Sequence, residues 1–259
     1  MTLRVVEVLG RSEQGRTQPY ICRCDDDDVY FVKGRSATRK GLINEWLCGN
    51  LALALGLPVA PFAVAEVPQE FVQADLSGKL ADLGEGSVFA SRKVFGQELA
   101  VAQVSGIEIA LRRDVLLFDW WVRNGDRCLT ARGGNVNLLW QPHAVVRDED
   151  EDEERLAVGR LAVIDHNLAF DAEFSPEEYC QGHVFAADVA ETFSDFVLRE
   201  AYTRRFLQAM AVLESAWNNV PEAWHFVDAE QTIPTAYPKA DVCAMLRRVE
   251  SPDFWKLTA

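Results

Sequence analysis

Five polar residues stand at or near the ends of predicted elements, where side chains from distant parts of the chain can meet. They are, in chain order, Lys33, Glu45, Asp126, Asn137 and Asp165. Lys33 ends a strand-like stretch, and Glu45 lies in the helix predicted to follow it. Asp126 follows a long apolar helix. Asn137 directly precedes one short apolar strand, and Asp165 ends another. We therefore expect one cation, three carboxylates and one amide around a common cleft.

This set matches what the transfer of a phosphoryl group from ATP requires. A lysine neutralises the phosphates, and a glutamate on the neighbouring helix holds that lysine in place. A divalent metal takes oxygen ligands, here an Asn and an Asp, and a further Asp orients or deprotonates the acceptor hydroxyl. The polar turn GRSEQGRTQ, residues 10–18, would cover the phosphates with backbone N–H groups. The order turn, Lys, Glu, Asp, Asn, Asp is that of protein kinases.

The sequence resembles the HipA-like kinases, bacterial members of the protein-kinase-like fold that are also related to phosphoinositide kinases. The resemblance rests on five motifs in the kinase order: VYFVKG, NEWLCGNLALALGLPVAPF, DWWVRNGDR, NLLW and VIDHNLAF. Together they cover much of residues 29–170. The segment that follows matches only in being helical and rich in Trp.

The resemblance implies a role for each of the five residues. Lys33 would contact the phosphates of ATP, and Glu45 would pair with Lys33. Asp126 would be the catalytic base or the group that orients the hydroxyl, so that these three residues form the catalytic set. Asn137 would bind metal. Asp165 would replace the Asp of the kinase DFG motif and bind Mg²⁺.

Two further segments are implied to complete the nucleotide site. The turn around Gln14, Gly15 and Arg16 would lie over the phosphates. The strand end RKVFG, residues 92–96, would be the hinge that reads adenine through backbone groups.

The loop that follows Asp126 departs from the family pattern. The metal-binding Asn of kinases lies about five residues after the catalytic Asp, whereas that position is Ala131 here and Asn137 comes eleven residues after Asp126. Asn135 is a rival metal ligand. We favour Asn137 because it directly precedes the strand LLW. Cys128 stands where the family often has a His.

The order of the predicted elements and the resemblance together imply an α+β, two-lobed, protein-kinase-like fold. We assign residues 1–97 to a small antiparallel-sheet lobe with one helix, and residues 98–259 to a mainly helical large lobe. The small lobe is predicted to contain five strands and, after the third, a helix: strands 3–9, 19–24, 29–34, 59–67 and 87–96, helix 37–58. The large lobe is predicted to contain a helix, a hairpin and further helices: 105–124, 136–140 with 160–170, 184–219 and 240–250.

The net charge of -14 comes mostly from two acidic runs. DDDD at 25–28 and DEDEDEE at 148–154 hold four and seven of the 40 acidic residues. The rest of the chain is nearly balanced, and the runs are typical of solvated loops. The negative net charge argues against direct binding of nucleic acid. A regulatory protein partner with a basic surface could dock on the acidic loops, although a solubilising loop is the simpler interpretation.

No apolar run approaches the ~18 residues that span a membrane, and the start of the chain lacks the apolar region of a secretory signal. We therefore expect a cytoplasmic protein with no membrane attachment. The six cysteines form no CxxC pair and the four histidines are scattered. Neither a zinc site nor a disulfide framework is expected.

The predicted function is that of a HipA-like kinase dependent on ATP and Mg²⁺. By resemblance alone, the acceptor would be Ser or Thr of a protein. A hydroxyl of a small molecule or of a lipid head group is the other acceptor that the sequence leaves open. The alternative is a non-catalytic nucleotide-binding or partner-binding module of the pseudokinase type, favoured by the long loop between Asp126 and Asn137. A second rival is a toxin-like regulator silenced by a partner or by autophosphorylation at Ser12 or Thr17.

Overall fold

Five strands within the first 92 residues close into a small barrel. The structure is a computed structural model that describes residues 2–13, 18–129, 133–141, 160–228 and 230–257. The barrel strands are β1 (Leu3–Arg11), β2 (Tyr20–Cys24), β3 (Val29–Lys33), β4 (Phe62–Val67) and β5 (Gly86–Arg92). Every second residue of β2 is buried, which is the period of a strand with one face on a core.

The spatial order of the barrel strands is β1-β2-β3-β5-β4. The first three strands pair antiparallel, and β5 pairs antiparallel with both β3 and β4. The pair that closes the barrel, β1 with β4, is parallel and joins Leu3 to Ala65. This pair departs from the expected antiparallel sheet because the long connection between β3 and β4 brings the chain back alongside β1 in the same direction. Closure protects the strand edges from other chains.

Small apolar groups fill the barrel, among them the thiols of Cys22 and Cys24. Burial raises the pKa of Cys22 to about 12 and that of Cys24 to about 11. Both thiols therefore stay protonated at neutral pH, and they act as small core side chains.

Helix α1 (Arg39–Ala54) connects β3 to β4 and carries Glu45. It begins at Thr38, whose hydroxyl accepts a hydrogen bond from the N–H of Gly41 at 3.1 Å. Gly49 lets the helix approach β4 closely, since a Cβ there would lie 2.6 Å from the Phe62 ring. The helix is shorter at each end than the predicted 37–58.

A short second helix, α2 (Gln69–Ala74), precedes β5, where the sequence predicted only one helix in this part of the chain. The stretch QEFVQA has only two large apolar residues, which are adjacent, and none of its six residues is buried. A pattern search for a core-facing helix therefore does not find it.

The rest of the chain is mainly helical. Its helices are α3 (Ile109–Trp121), α4 (Pro176–Gly182), α5 (Val189–Ser194), α6 (Phe196–Ala209), α7 (Leu213–Asn218) and α8 (Lys239–Arg247). Three short strands form an antiparallel sheet of order β6-β7-β8: β6 (Gln97–Glu98), β7 (Leu138–Gln141) and β8 (Arg160–Val163). The proposed lobe boundary at 97/98 falls inside β6, and it stays a prediction.

Several predicted elements are divided or shortened. The predicted helix 105–124 is a 3-10 helix at 101–106 followed by α3, and the strand predicted over 160–170 ends at Val163. The segment 184–219 contains three α-helices with breaks between them. Asp195 causes one break, since its side chain caps α6 by accepting hydrogen bonds from the N–H groups of Val197 and Leu198.

Paired tryptophans fix α3 against the C-terminal helices. Trp121 stacks on Phe206 with ring centroids 4.4 Å apart, and its indole N–H donates to the carbonyl of Leu246 at 2.8 Å. The indole N–H of Trp120 donates to the carbonyl of Phe254 at 2.9 Å. The loop that carries Asp126 therefore leaves a rigidly held helix end. Within the described ranges, no helix has both the length and the apolar character to cross a bilayer.

Candidate active site

Lys33 is held between two carboxylates from different parts of the chain. It is the last residue of β3, and only 7% of it is exposed. Its Nζ lies 2.5 Å from Oε1 of Glu45 on α1 and 2.7 Å from Oδ1 of Asp165, two residues beyond β8. The structure thus brings together three of the predicted site residues.

The charges of this cluster do not balance. Burial favours the neutral amine of Lys33, but Glu45 and Asp165 outweigh it and raise the pKa of Lys33 above its ordinary value. Burial likewise opposes ionisation of Glu45, and Lys33 together with His166 lowers the pKa of that carboxyl. The pKa of Asp165 is raised, by burial and by the charge of Glu45. One cation facing two carboxylates leaves room for a further positive charge beside Asp165.

Hydrogen bonds also join α1 to the segment that begins at Asp165. The backbone N–H of His166 donates to Oε2 of Glu45 at 2.9 Å. Asn44 donates through Nδ2 to the carbonyls of Asn167 at 2.8 Å and Ala169 at 2.7 Å. Sequence reasoning missed Asn44, although a polar amide directly after Leu42 and Ile43 in a largely apolar helix is a usable signal.

Asp126 lies in the loop after α3 and is partly exposed. Its Oδ2 accepts hydrogen bonds from Nδ2 of Asn135 at 2.5 Å and from Nδ2 of Asn137 at 3.1 Å. Both rival asparagines therefore reach the same carboxylate. The loop curls back on itself, and its residues 130–132 lie outside the described part of the chain.

Gly134 allows this loop to close. A Cβ at that position would lie 2.2 Å from the carbonyl oxygen of Cys128. The N–H of Cys128 donates to the carbonyl of Asn135 at 2.9 Å, and the N–H of Asn135 contacts the Cys128 sulfur at 3.4 Å. Only a glycine fits between these two sides of the loop, which explains one of its glycines.

Asn137 and Asp165 stand at neighbouring ends of the β7–β8 hairpin. Leu138 pairs with Val163, and the N–H of Ile164 donates to the carbonyl of Asn137 at 3.1 Å. Both residues have a left-handed backbone, with φ of 49° for Asn137 and 57° for Asp165. Asn and Asp adopt this conformation more readily than other residues with a side chain, and such backbones cluster at functional sites.

Arg127, next to Asp126, is fully buried and was missed by sequence reasoning. Its Nε donates to Oδ2 of Asp119 on α3 at 2.7 Å. Its Nη1 donates to the carbonyl of Asn137 and, at 3.3 Å, to the carbonyl of Ile164. One guanidinium thus joins α3 to both strand ends of the hairpin. An Arg after an Asp in a turn gives no sequence signal of such burial.

The partner of Arg127 is itself fully bonded. Burial opposes ionisation of Asp119, but Arg127, His183 and Asn124 prevail and lower its pKa to about 2. The pKa of His183 is lowered by burial. Nδ1 of His183 accepts from the N–H of Phe185 at 3.1 Å, so that Nε2 carries the proton donated to Asp119 at 3.1 Å. Asp119 is therefore a carboxylate inside the core.

A cavity of about 360 Å³ opens beside Asp126. Four carboxylates and three large apolar or aromatic side chains are among the residues that line it: Asp126, Asp171, Glu173 and Glu178, with Leu168, Phe174 and Tyr179. The described residues around it include no Lys or Arg. An acceptor that reaches Asp126 through this cavity meets a negative, partly apolar wall.

The donor atoms near Asp165 fit a metal that shares its coordination with a nucleotide. Among the described residues, no group of three or more His, Cys, Asp or Glu is placed to hold a metal alone. Asp165 and Asn137 offer one carboxylate and one amide oxygen. Mg²⁺ prefers such a site, with one or two protein oxygens and the remaining ligands from phosphates and water.

The phosphate-covering turn and the adenine hinge both stay predictions. Gln14, Gly15 and Arg16 lie outside the described residues. On either side of that segment, the N–H of Ser12 donates to the carbonyl of Pro19 at 2.8 Å. The predicted hinge 92–96 connects β5 to β6, between the barrel and the β6-β7-β8 sheet.

Comparison with solved structures defines the class of fold. A crystal structure of the Helicobacter pylori proinflammatory kinase CtkA has a TM-score of 0.51 and 12% identity, covering 98% of this chain and 97% of that one. A crystal structure of the Golgi casein kinase with Mn/ADP bound has a TM-score of 0.43 and 10% identity, covering 99% of this chain and 72% of that one. The likeness to CtkA over nearly the whole of both chains confirms the predicted α+β, two-lobed, protein-kinase-like fold.

The family follows from the sequence. The model of the HipA-like kinase family, HipA_2, matches residues 5–258, and the chain therefore belongs to the HipA-like kinases. No curated protein matches the chain. The predicted family is confirmed, and with it the broad class of phosphotransferase.

Proposed function

We propose that this HipA-like kinase binds ATP with Mg²⁺ beside Lys33 and transfers the γ-phosphate to Ser or Thr of a protein. The observation that carries this proposal is the buried Lys33 between Glu45 and Asp165, with Nζ–O distances of 2.5 and 2.7 Å. Lys33 neutralises the phosphates, and Glu45 keeps its ammonium in place.

The metal-side residues are Asp165 and Asn137. They would hold Mg²⁺, which neutralises charge on the phosphates when it is bound. The unbalanced charge of the Lys33 cluster supports this assignment, because Asp165 shares its only described ammonium partner with Glu45. Asn137 is preferred to Asn135 because the carbonyl of Asn137 bonds directly to the N–H of Ile164, the neighbour of Asp165.

Asp126 orients the acceptor and receives its proton. Its Oδ2 is held by the amides of Asn135 and Asn137, which leaves Oδ1 for the acceptor hydroxyl. The hydroxyl oxygen attacks the γ-phosphorus, the bond from that phosphorus to the β-γ bridging oxygen breaks, and ADP leaves. The proton of the hydroxyl passes to Asp126.

The cavity beside Asp126 supports a protein segment as acceptor. Its volume of about 360 Å³ holds a few side chains, and it opens directly on the proposed base. Glu173 and Glu178 on its wall make no ion pair with any described residue, so they are free to meet a basic group on the acceptor.

A nucleotide-binding module without turnover is the second candidate. The long loop favours it, since Asn137 comes eleven residues after Asp126 where kinases place the metal-binding Asn about five residues after the catalytic Asp. A regulatory protein partner is a further proposal. The acidic run 148–154 that would receive it lies outside the described residues.

The test uses γ-labelled ATP, Mg²⁺ and a mixed Ser/Thr peptide library. Asp126→Asn and Asp165→Asn are expected to lower label transfer by about 10²–10⁴-fold. Asp253→Asn, a change in the C-terminal segment, is the matched control and should keep wild-type transfer. Nucleotide binding by the wild type with neither hydrolysis nor transfer would reject the kinase and leave the binding module.

A further inference from the structure

Arg127 joins α3 to the two segments that carry the proposed metal ligands. It follows the proposed base Asp126 in the chain, yet its side chain is 0% exposed and turns inward. Burying a guanidinium is costly unless its charge is paired and its N–H groups are bonded. Asp119 pairs the charge, and backbone carbonyls take the other donors.

The two carbonyls that Arg127 binds flank the strained residues. The carbonyl of Asn137 follows its left-handed Cα, and the carbonyl of Ile164 directly precedes the left-handed Cα of Asp165. Relaxation of either residue to an extended backbone would rotate its carbonyl or its side chain away from the present position. Asn and Asp adopt the left-handed state more readily than other residues with a side chain, but it is only one of their accessible states, so bonds on these peptide planes help to select it.

We propose that Arg127 is a positioning residue that sets the backbones of Asn137 and Asp165 for metal binding. This inference rests on the proposed function, because it takes these two residues as the metal side of the site. The role requires a planar guanidinium with several N–H donors, because Nε binds Asp119 while Nη1 and Nη2 bind carbonyls of the hairpin. A lysine at this position could keep the charge pair but could not span both partners.

Arg112, on the helix that leads to the Arg127 loop, provides a matched control. It pairs with Asp188 through Nε at 2.8 Å and Nη2 at 3.1 Å, and its Nη1 donates to the carbonyls of Val104 and Ile107 at 3.3 Å. It therefore has the same fork chemistry as Arg127, directed at segments that carry no site residue.

The experiment titrates Mn²⁺ into the full chain with a non-hydrolysable ATP analogue, and electron paramagnetic resonance counts the bound ion. Arg127→Lys is expected to raise the Mn²⁺ concentration at half-saturation by about 10–100-fold, the usual effect of removing an outer-shell partner. Binding of the analogue without metal should stay at the wild-type level. Arg112→Lys should lower Tm and leave the Mn²⁺ half-saturation unchanged.

Asp119→Asn is a second test, since it keeps the guanidinium of Arg127 but removes the charged partner that its Nε binds. It is expected to raise the half-saturation by a smaller factor than Arg127→Lys. Three results would overturn the positioning role. The first is a wild-type Mn²⁺ half-saturation in folded Arg127→Lys and Asp119→Asn, and the second is a rise in Arg112→Lys as large as that in Arg127→Lys. The third is failure of both site variants to fold. A wild type that binds the analogue but no Mn²⁺ would instead reject the proposed metal site.

Discussion

The ammonium of Lys33 lies 2.7 Å from the carboxylate of Asp165. This contact joins the end of a barrel strand to the segment after β8, and it offsets part of the charge on the carboxylate proposed to bind metal. A bound nucleotide must draw Lys33 toward its phosphates while a metal takes its place at Asp165. The ion pair is therefore expected to weaken when nucleotide and metal bind together.

Removal of the Lys33 charge should destabilise the fold as well as abolish nucleotide binding. Lys33→Met leaves Glu45 and Asp165 buried without their cation, which costs about 3–5 kcal/mol of unfolding free energy. Urea unfolding measures this loss. The double variant Lys33→Met, Glu45→Gln should recover part of the stability but none of the nucleotide affinity. A double variant no more stable than Lys33→Met would contradict the charge explanation.

The buried carboxylate of Asp119 should make stability depend on pH in the acid range. Its folded pKa of about 2 lies below the ordinary value of 3.8. A lowered folded pKa means that the unfolded chain binds the proton more tightly, so this stability is complete above about pH 5 and is lost as the pH falls toward 2. The full effect is about 2–3 kcal/mol.

Urea unfolding at pH 6 and pH 3 checks this linkage. The wild type should lose more stability between these two values than Asp119→Asn does, because the variant has no carboxyl to protonate there. An equal loss in both proteins would show that other carboxyl groups cause the acid sensitivity.

Substitution of Gly134, in the loop that carries Asp126, should lower activity more than it lowers stability. Gly134→Ala places a Cβ 2.2 Å from the Cys128 carbonyl and forces the loop apart near Asn135. Transfer should fall by about 10²-fold, the usual cost of a displacement near 1 Å. Gly106→Ala, where a Cβ would meet nothing within 4 Å, is the control and should keep wild-type transfer. Wild-type transfer by Gly134→Ala would mean that the loop opens without consequence.

The sequence predicted the parts of this site whose signals are local. Lys33 ends an alternating strand and Glu45 follows on an apolar helix, and their place in the kinase order of five polar residues led to the prediction of a pair. Arg127 gave no such signal, because its partners Asp119, Asn137 and Ile164 are brought together only by folding. Charged residues are rarely buried, and a sequence pattern therefore assigns such an arginine to the surface.

The fold, like the site, has parts that local sequence patterns predict and parts that only long-range contacts determine. The bounds of β2 and β3 were predicted to within one residue, since an alternating apolar pattern arises when one face of a sheet is buried. The parallel closure of β1 with β4 depends on contacts over 60 residues apart, Leu3 with Ala65, and local periodicity does not encode it. The breaks inside 184–219 arise from caps such as Asp195, which compete with an apolar period that continues through them.

The acidic wall of the cavity should give the kinase a preference for acceptors with a basic residue near the hydroxyl. Glu173 and Glu178 line the cavity, whereas Glu177 lies on the same helix as Glu178 and accepts a hydrogen bond from Gln181 instead. The double variant Glu173→Gln, Glu178→Gln should raise KM for a Ser peptide flanked by Arg by about tenfold and leave kcat unchanged, because the charges act on encounter and binding. Glu177→Gln should leave both constants at the wild-type values. Equal KM values for Arg-flanked and Glu-flanked peptides in the wild type would contradict this preference while leaving the phosphoryl transfer itself intact.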